Sequence, residues 1–135
     1  MHPAGRRLVV ARFLDGRMIK GTTQDFLPNR PNFHIQEGGD PGAVPQLVEL
    51  TALKAIFFVK SFTGDPTHVE DLSLEKARGQ GRKVRITFID NEVIAGFAMG
   101  YNPTKPGFFL FPADSVSNNA QVFVVNSAVS KLEWV

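Results

Sequence analysis

The chain has 135 residues, with 15 basic and 13 acidic side chains and no cysteine. This length suits one ordinary domain or two very small ones. The hydrophobic fraction of 43% and the 12 glycines are typical of a globular protein, so intrinsic disorder is not expected. The lack of cysteine excludes disulfides, thiolate nucleophiles and cysteine-based zinc sites.

The apolar runs are too short for a transmembrane helix. The longest, Ala55–Val59 and Phe108–Phe111, fall well below the roughly 20 residues that a bilayer requires. The first residues, Met1–Arg12, lack the apolar core of a signal peptide. We therefore expect a cytoplasmic protein with no membrane partner.

An internal repeat organises the sequence. A shift of 75 positions gives nine identities within residues 7–35, and after one inserted residue the match resumes at Thr51. The identical pairs are Arg7/Arg82, Val9/Val84, Phe13/Phe88, Asp15/Asp90, Ile19/Ile94, Gly21/Gly96, Pro28/Pro103, Pro31/Pro106 and Phe33/Phe108. The repeat predicts a duplication, with a first unit at 1–60, a linker at 61–82 and a second unit at 83–135.

Each unit is predicted to contain five short strands. An Asp15-Gly16 pair, with Asp90-Asn91 as its counterpart, indicates a hairpin turn between the first two strands. Gly21 and Gly96 interrupt the second strands, where a bulge or sharp bend lets a small sheet curl. The predicted strands are Leu8–Leu14, Arg17–Phe26, Phe33–Gln36, Leu47–Leu50 and Leu53–Val59, with Glu92–Tyr101, Phe108–Phe111, Val122–Val125 and Val129–Val135 in the second unit.

Five bent strands in about 55 residues predict an all-β fold of two tandem five-stranded Sm-like or SH3-like barrels. A single fused sandwich of ten strands and a split barrel with shared strands are the alternatives. In the linker, Pro66, the capping pattern Thr67-x-x-Glu70 and the stop Gly79-Gln80-Gly81 predict a short helix from about Pro66 to Arg78. A flexible linker is the alternative there.

Two known families share features with this pattern. Val9-x-x-x-x-Leu14-Asp15-Gly16-Arg17-x-Ile19-x-Gly21 resembles the first signature of the Sm and Sm-like RNA-binding proteins. Asn32, before an apolar strand, is similar to the base-contacting Asn of that family, although Gly107 takes its place in the second unit. This resemblance implies a small-barrel fold and single-stranded RNA as a partner. The full tandem, with Phe33 and Phe108 after the proline loops and Asn118-Asn119 before the strand at Val122, also resembles a bacterial family of unknown function, which implies a bacterial source.

A third resemblance concerns the end of the linker. Arg78-x-x-x-Arg82 before a predicted barrel resembles the arginine pair of the PilZ family. That resemblance implies binding of a cyclic dinucleotide. The later segment 114–119 does not contain the family's second motif.

Five residues are candidate ligand contacts. Arg30 and Lys105 occupy equivalent loops bracketed by prolines, so two stiff loops each present a cation to phosphate or carboxylate. Phe26 and Tyr101 lie near these loops in the sequence, so their rings could stack on a base bound there. Asn32 follows the first loop. The alternative interpretation is that Arg30 and Lys105 are ordinary polar residues at solvated loop tips.

Ala55–Val59 and Phe108–Phe111 carry apolar side chains on both faces, which one small barrel cannot bury. Either the two units pack through these strands, or a second chain covers them. The sequence predicts a non-enzymatic binding or assembly module, with a protein partner or the chain itself as ligand and a homodimer as one outcome. RNA binding is the alternative. No cofactor, metal site or catalytic set is predicted, since His2, His34 and His68 are scattered.

Overall fold

The computed structural model describes residues 6–38 and 42–135, and this part of the chain is built from strands. The first half contains β1 (Arg7–Phe13), β2 (Met18–Thr23), β3 (Asn32–Glu37), β4 (Gln46–Glu49) and β5 (Leu53–Val59). The second contains β6 (Arg82–Phe88), β7 (Val93–Met99), β8 (Gly107–Pro112), β9 (Asn119–Val125) and β10 (Val129–Trp134). One-turn 3-10 segments at Leu50–Ala52 and Asn126–Ala128 precede β5 and β10.

All ten strands form one antiparallel sheet in the order β10-β6-β7-β8-β9-β5-β1-β2-β3-β4. The order within the second half, β10-β6-β7-β8-β9, is the same as β5-β1-β2-β3-β4 in the first. The halves join where β5 pairs with β9. β4 and β10 are therefore the two edges of the sheet.

Two separate apolar cores lie on opposite faces of the central strands. On β5, Ile56 and Phe58 face the core of the first half, whereas Ala55 and Phe57 face the core of the second. β9 divides in the same way: Phe123 enters the first core, although its strand belongs to the second half. The apolar character of Ala55–Val59 on both faces is thus explained by the packing of the two halves on one another.

The expectation of two separate barrels needs correction. The structure has one continuous ten-stranded sheet, because β5 bonds to β9 along its free side rather than to β4 of its own half. Residues 55–59 of β5 and 122–125 of β9 are apolar and divide between the two cores, so this position buries both faces of these strands. This arrangement is closest to the fused sheet among the alternatives.

The linker helix predicted from Pro66 to Arg78 is wrong. This segment is irregular: three of its N–H groups bond to side chains, and the turn-like bonds from His68 to Asp65 and from Ala77 to Leu74 are isolated and do not continue as a helix. Thr67 N–H donates to the Asp65 carboxylate, and Asp71 N–H donates to the carboxylate of Asp114. Leu74, only 2% exposed, anchors the segment to the rest of the protein. Among the described residues, no helix is long and apolar enough to cross a membrane.

The glycines in the second strands allow close approach of the neighbouring backbone. A Cβ at position 21 would collide with the carbonyl oxygen of Gln36, and one at position 96 would collide with that of Phe111. These strands therefore pack against β3 and β8 with no space for any side chain at the two positions. The mid-strand glycines of the repeat reflect this contact.

The two hairpin turns have a residue with positive φ at equivalent positions, which allows the cost of backbone strain to be measured. Gly16 has a φ of 94°, and its counterpart Asn91 has a φ of 73°. Because an added Cβ at Gly16 meets nothing within 4 Å, Gly16→Ala should cost only the backbone strain, about 1 kcal/mol of unfolding free energy. Asn91→Gly should change stability by less than about 0.5 kcal/mol, since Asn tolerates this conformation. Urea denaturation measures both; equal losses in the two variants would contradict the argument.

Candidate assembly interface

The junction between the halves is a strand pair buried on both faces. Ile56 lies opposite Phe123, and each side chain is fully buried in the first core. Phe57 lies opposite Val122, and both contribute to the second core. The junction thus combines a ladder of backbone hydrogen bonds with apolar burial on both sides.

Each edge strand is the counterpart of a junction strand: in the strand order of the two halves, β10 corresponds to β5 and β4 corresponds to β9. Leu53 and Val129 begin β5 and β10 after equivalent 3-10 turns, 76 residues apart (129 − 53). By the same offset, β4 corresponds to β9. The counterparts of the two strands that form the internal junction therefore lie at the two edges of the sheet, β10 at one edge and β4 at the other.

Apolar groups lie along these edges. Leu47, the counterpart of Phe123, is 56% exposed on β4. Trp134, the counterpart of Phe58, is 36% exposed on β10, with its ring 5.4 Å from that of Tyr101. Pro45 directly precedes β4, and because proline has no N–H it limits how far a ladder can extend there.

The two predicted cation loops have different surroundings. Lys105 is exposed, and its loop lines a cavity of about 550 Å³ that also includes Leu50 and Thr51 of the first half. Asn126 holds this loop by donating its amide N–H to the Lys105 carbonyl oxygen at 2.9 Å. Arg30 is exposed on the corresponding loop of the first half. Lys105 is therefore next to the junction.

The three remaining ligand candidates have structural neighbours. The Phe26 ring contacts those of Phe33 and Phe123, each at 5.1 Å between centroids, and packs against the first core. Tyr101 contacts Phe108 at 5.0 Å in the second half. Asn32 is half-buried at the start of β3. Contact of these residues with a ligand stays a prediction.

A buried lysine ties the halves together and was not anticipated from the sequence. The side chain of Lys54, 7% exposed, extends from β5 to the β6–β7 hairpin. Its Nζ donates to Asp90 Oδ2 at 2.7 Å and also to Glu92, and it lies 4.7 Å from the Phe88 ring centre. The Lys54 hydrogen bond and the Glu92 N–H lower the pKa of the Asp90 carboxyl.

Two histidine–aspartate pairs bring an imidazole nitrogen close to a carboxylate oxygen. In the first half, His34 Nδ1 lies 2.7 Å from Asp25 Oδ2 on an exposed surface. Burial raises the pKa of Asp25, but hydrogen bonds from the backbone and ring of His34 outweigh this effect and lower it overall. This pair lines a cavity of about 250 Å³.

The second pair joins the linker to the β8–β9 loop. His68 Nε2 lies 2.7 Å from Asp114 Oδ2 and 3.6 Å from Glu70 Oε1. The Asp71 N–H, the largest influence, lowers the pKa of the Asp114 carboxyl. These three side chains are the ones in the described part of the chain that could hold a metal ion together.

The fold defines a class: an all-β protein whose two similarly ordered halves share one sheet, in which the end strands β4 and β10 each pair on one side only within the described part of the chain. The chain belongs to a family of unknown function, DUF6982, whose profile matches residues 5–135. No curated protein and no solved structure matches it.

Proposed function

We propose that this protein is a non-enzymatic assembly module, built from two duplicated Sm-like units, that associates with further copies of itself. β10 of one chain adds to β4 of the next. The observation that carries this proposal is the β5–β9 junction, whose two counterparts, β10 and β4, each have one side without a partner strand among residues 6–38 and 42–135. The matching strand order of the halves supports the duplication, as does the offset between their strands, which is 75 residues for β1, β2 and β3 and 76 residues for β5.

The register of the internal junction supplies a register for the proposed one. Adding 76 to the β5 numbers and subtracting 76 from the β9 numbers places Leu132 opposite Leu47, as Ile56 lies opposite Phe123. The same operation places Trp134 opposite Pro45. At these two positions apolar groups of one chain meet apolar groups of the other, and between them Glu133 lies opposite Gln46.

This association is heterologous, because two different edges meet. Such contacts extend head to tail and form either a closed ring or an open filament. The four-residue length of β4 allows only a short ladder, so we expect affinity in the micromolar range, about −8 kcal/mol. Assembly should accordingly depend on protein concentration.

Sedimentation velocity tests the proposal over about 1 µM to 1 mM protein, a range that spans such an affinity. The wild-type chain should grow from 14.9 kDa to larger species as the concentration rises. Leu47→Lys should abolish this growth, because it places a charge on the β4 edge. Leu27→Lys is the matched control, since Leu27 is 46% exposed but lies in no strand.

A mixing experiment tests the head-to-tail polarity. Leu47→Lys blocks β4 and leaves β10 intact, whereas Trp134→Lys blocks β10 and leaves β4 intact. Neither variant should self-associate, but the mixture should form a species of twice 14.9 kDa and none larger. Circular dichroism confirms that each variant is folded. A wild-type chain that stays monomeric throughout, or equal effects of Leu47→Lys and Leu27→Lys, would overturn the proposal in favour of a different partner.

A further inference from the structure

We propose that His68, Glu70 and Asp114 form a binding site for one divalent transition-metal ion, with Zn²⁺ the best fit to the donor set. An imidazole nitrogen and two carboxylate oxygens are ligands that zinc accepts, with water filling an open position. Four-coordinate zinc with bonds of about 2.0–2.2 Å separates its donor atoms by about 3.3–3.6 Å. The His68–Asp114 distance of 2.7 Å must therefore open slightly, and the His68–Glu70 distance of 3.6 Å already suits ligation.

Asp114 is held as a ligand before any ion arrives. Its side chain is only 5% exposed, and two backbone N–H groups bond to it, from Asp71 to Oδ2 and from Val116 to Oδ1, each at 2.9 Å. Such outer bonds orient a ligating carboxylate and keep it ionised. Asp114 thus supplies a fixed anionic oxygen in a sheltered position, and the other two donors face it from the linker.

The carboxylates next to His68 favour a cation, although Arg12 and Lys60 line the adjoining cavity. Glu70, Asp71 and Asp114 bring three carboxylates to one imidazole within this cluster, and the Asp71 carboxylate is close enough to feel the charge of Asp114. A divalent ion bound to His68, Glu70 and Asp114 would balance two of the three negative charges and meet a neutral imidazole.

The site is open on one side. His68 and Glu70 line a cavity of about 700 Å³. This opening provides an entry path and space for water ligands. Because His68 and Glu70 are in the linker and Asp114 is in the β8–β9 loop, an ion bound there would cross-link segments 44–46 residues apart (114 − 70 and 114 − 68).

Titration of the tag-free chain with ZnCl₂, in competition with a chromophoric chelator, tests this site. We expect one ion per chain, and at least about tenfold weaker binding in both His68→Ala and Glu70→Gln. His34→Ala is the matched control, since His34 also lies 2.7 Å from an aspartate but has no third ligand in the cluster. It should bind zinc like the wild-type chain.

The melting temperature is an independent readout. Zinc should raise it in the wild-type chain and in His34→Ala, and at the same zinc concentration should raise it less in Glu70→Gln, whose exposed side chain can change without unfolding the protein. Repeating the titration in Leu47→Lys separates this site from assembly. Absence of 1:1 binding, loss of binding in His34→Ala, or unchanged binding in Glu70→Gln would each overturn the proposal.

Discussion

Replacing Phe123 by Ala should lower the free energy of unfolding by about 4 kcal/mol, because the change empties the centre of the first core. The Phe123 side chain is fully buried, and its ring centre lies 5.1 Å from that of Phe26 and 5.2 Å from that of Phe109. These rings come from three different strands or loops. They cannot all move to fill the space that a lost ring would leave.

The matched control is Leu47→Ala at the equivalent position of the first half. Leu47 is 56% exposed, so its truncation should change stability by less than about 0.5 kcal/mol. Urea denaturation measures both variants. A loss below about 1.5 kcal/mol in Phe123→Ala would show that the first core does not depend on β9.

The same experiment tests whether the halves unfold together. Phe123 belongs to the second half by sequence but fills the core of the first. The sole tryptophan, Trp134, reports on the second half, whereas far-ultraviolet circular dichroism reports on the whole sheet. The two signals should give one coincident transition. Separate transitions would mean that the shared sheet does not couple the halves.

Neutralising both partners of Lys54 should cost about 3 kcal/mol of unfolding free energy. Asp90→Asn with Glu92→Gln leaves a buried ammonium without a counter-charge, whereas the substituted side chains keep their shape. Asp90→Asn also retains a side-chain oxygen that can accept the hydrogen bond from the Glu92 N–H, which closes the turn. Thermal and urea unfolding measure the loss.

Lys54→Met is the informative comparison. It leaves two carboxylates that are 53% and 44% exposed and can return to water, so its cost should stay near or below about 1 kcal/mol. The double substitution should therefore be the more harmful change. A larger loss in Lys54→Met would mean that the aliphatic packing of Lys54 on Phe88 matters more than its charge.

The lysine cluster also predicts acid sensitivity. The folded-state pKa of Asp90 lies below its ordinary value of about 3.9. Ionised Asp90 therefore stabilises the fold above the unfolded-state pKa, and this contribution disappears as the pH falls through the lower, folded-state pKa. Asp90→Asn should reduce the loss of stability between about pH 5 and pH 2. Unfolding curves across that range measure the difference.

The strand content was predictable because its signals are local. Asp15-Gly16 and Asp90-Asn91 mark hairpin turns, and the structure places β1–β2 and β6–β7 around them. Apolar residues on both faces of Ala55–Val59 indicated a strand buried on both sides, which the two cores confirm. For the candidate site, the sequence predicted that Arg30 and Lys105 are cations on two loops, and both side chains are exposed in the structure.

The polar clusters escaped prediction because their members are far apart in the chain. Lys54 meets Asp90 across 36 residues, and His68 meets Asp114 across 46. No spacing pattern connects such groups. The equivalent positions of the two halves gave no help, since Ser130 stands where Lys54 does in the first half.

By itself, the sequence determined the turns and the strands, since each depends on residues within a few positions of one another. Only the tertiary structure decided that β5 pairs with β9, that the linker is irregular, and that β4 and β10 remain as edges. The pairing of strands depends on which apolar faces can be buried together across the whole chain. In the linker, bonds to Asp65 and Asp114 replace the helical bonds that the capping pattern favours.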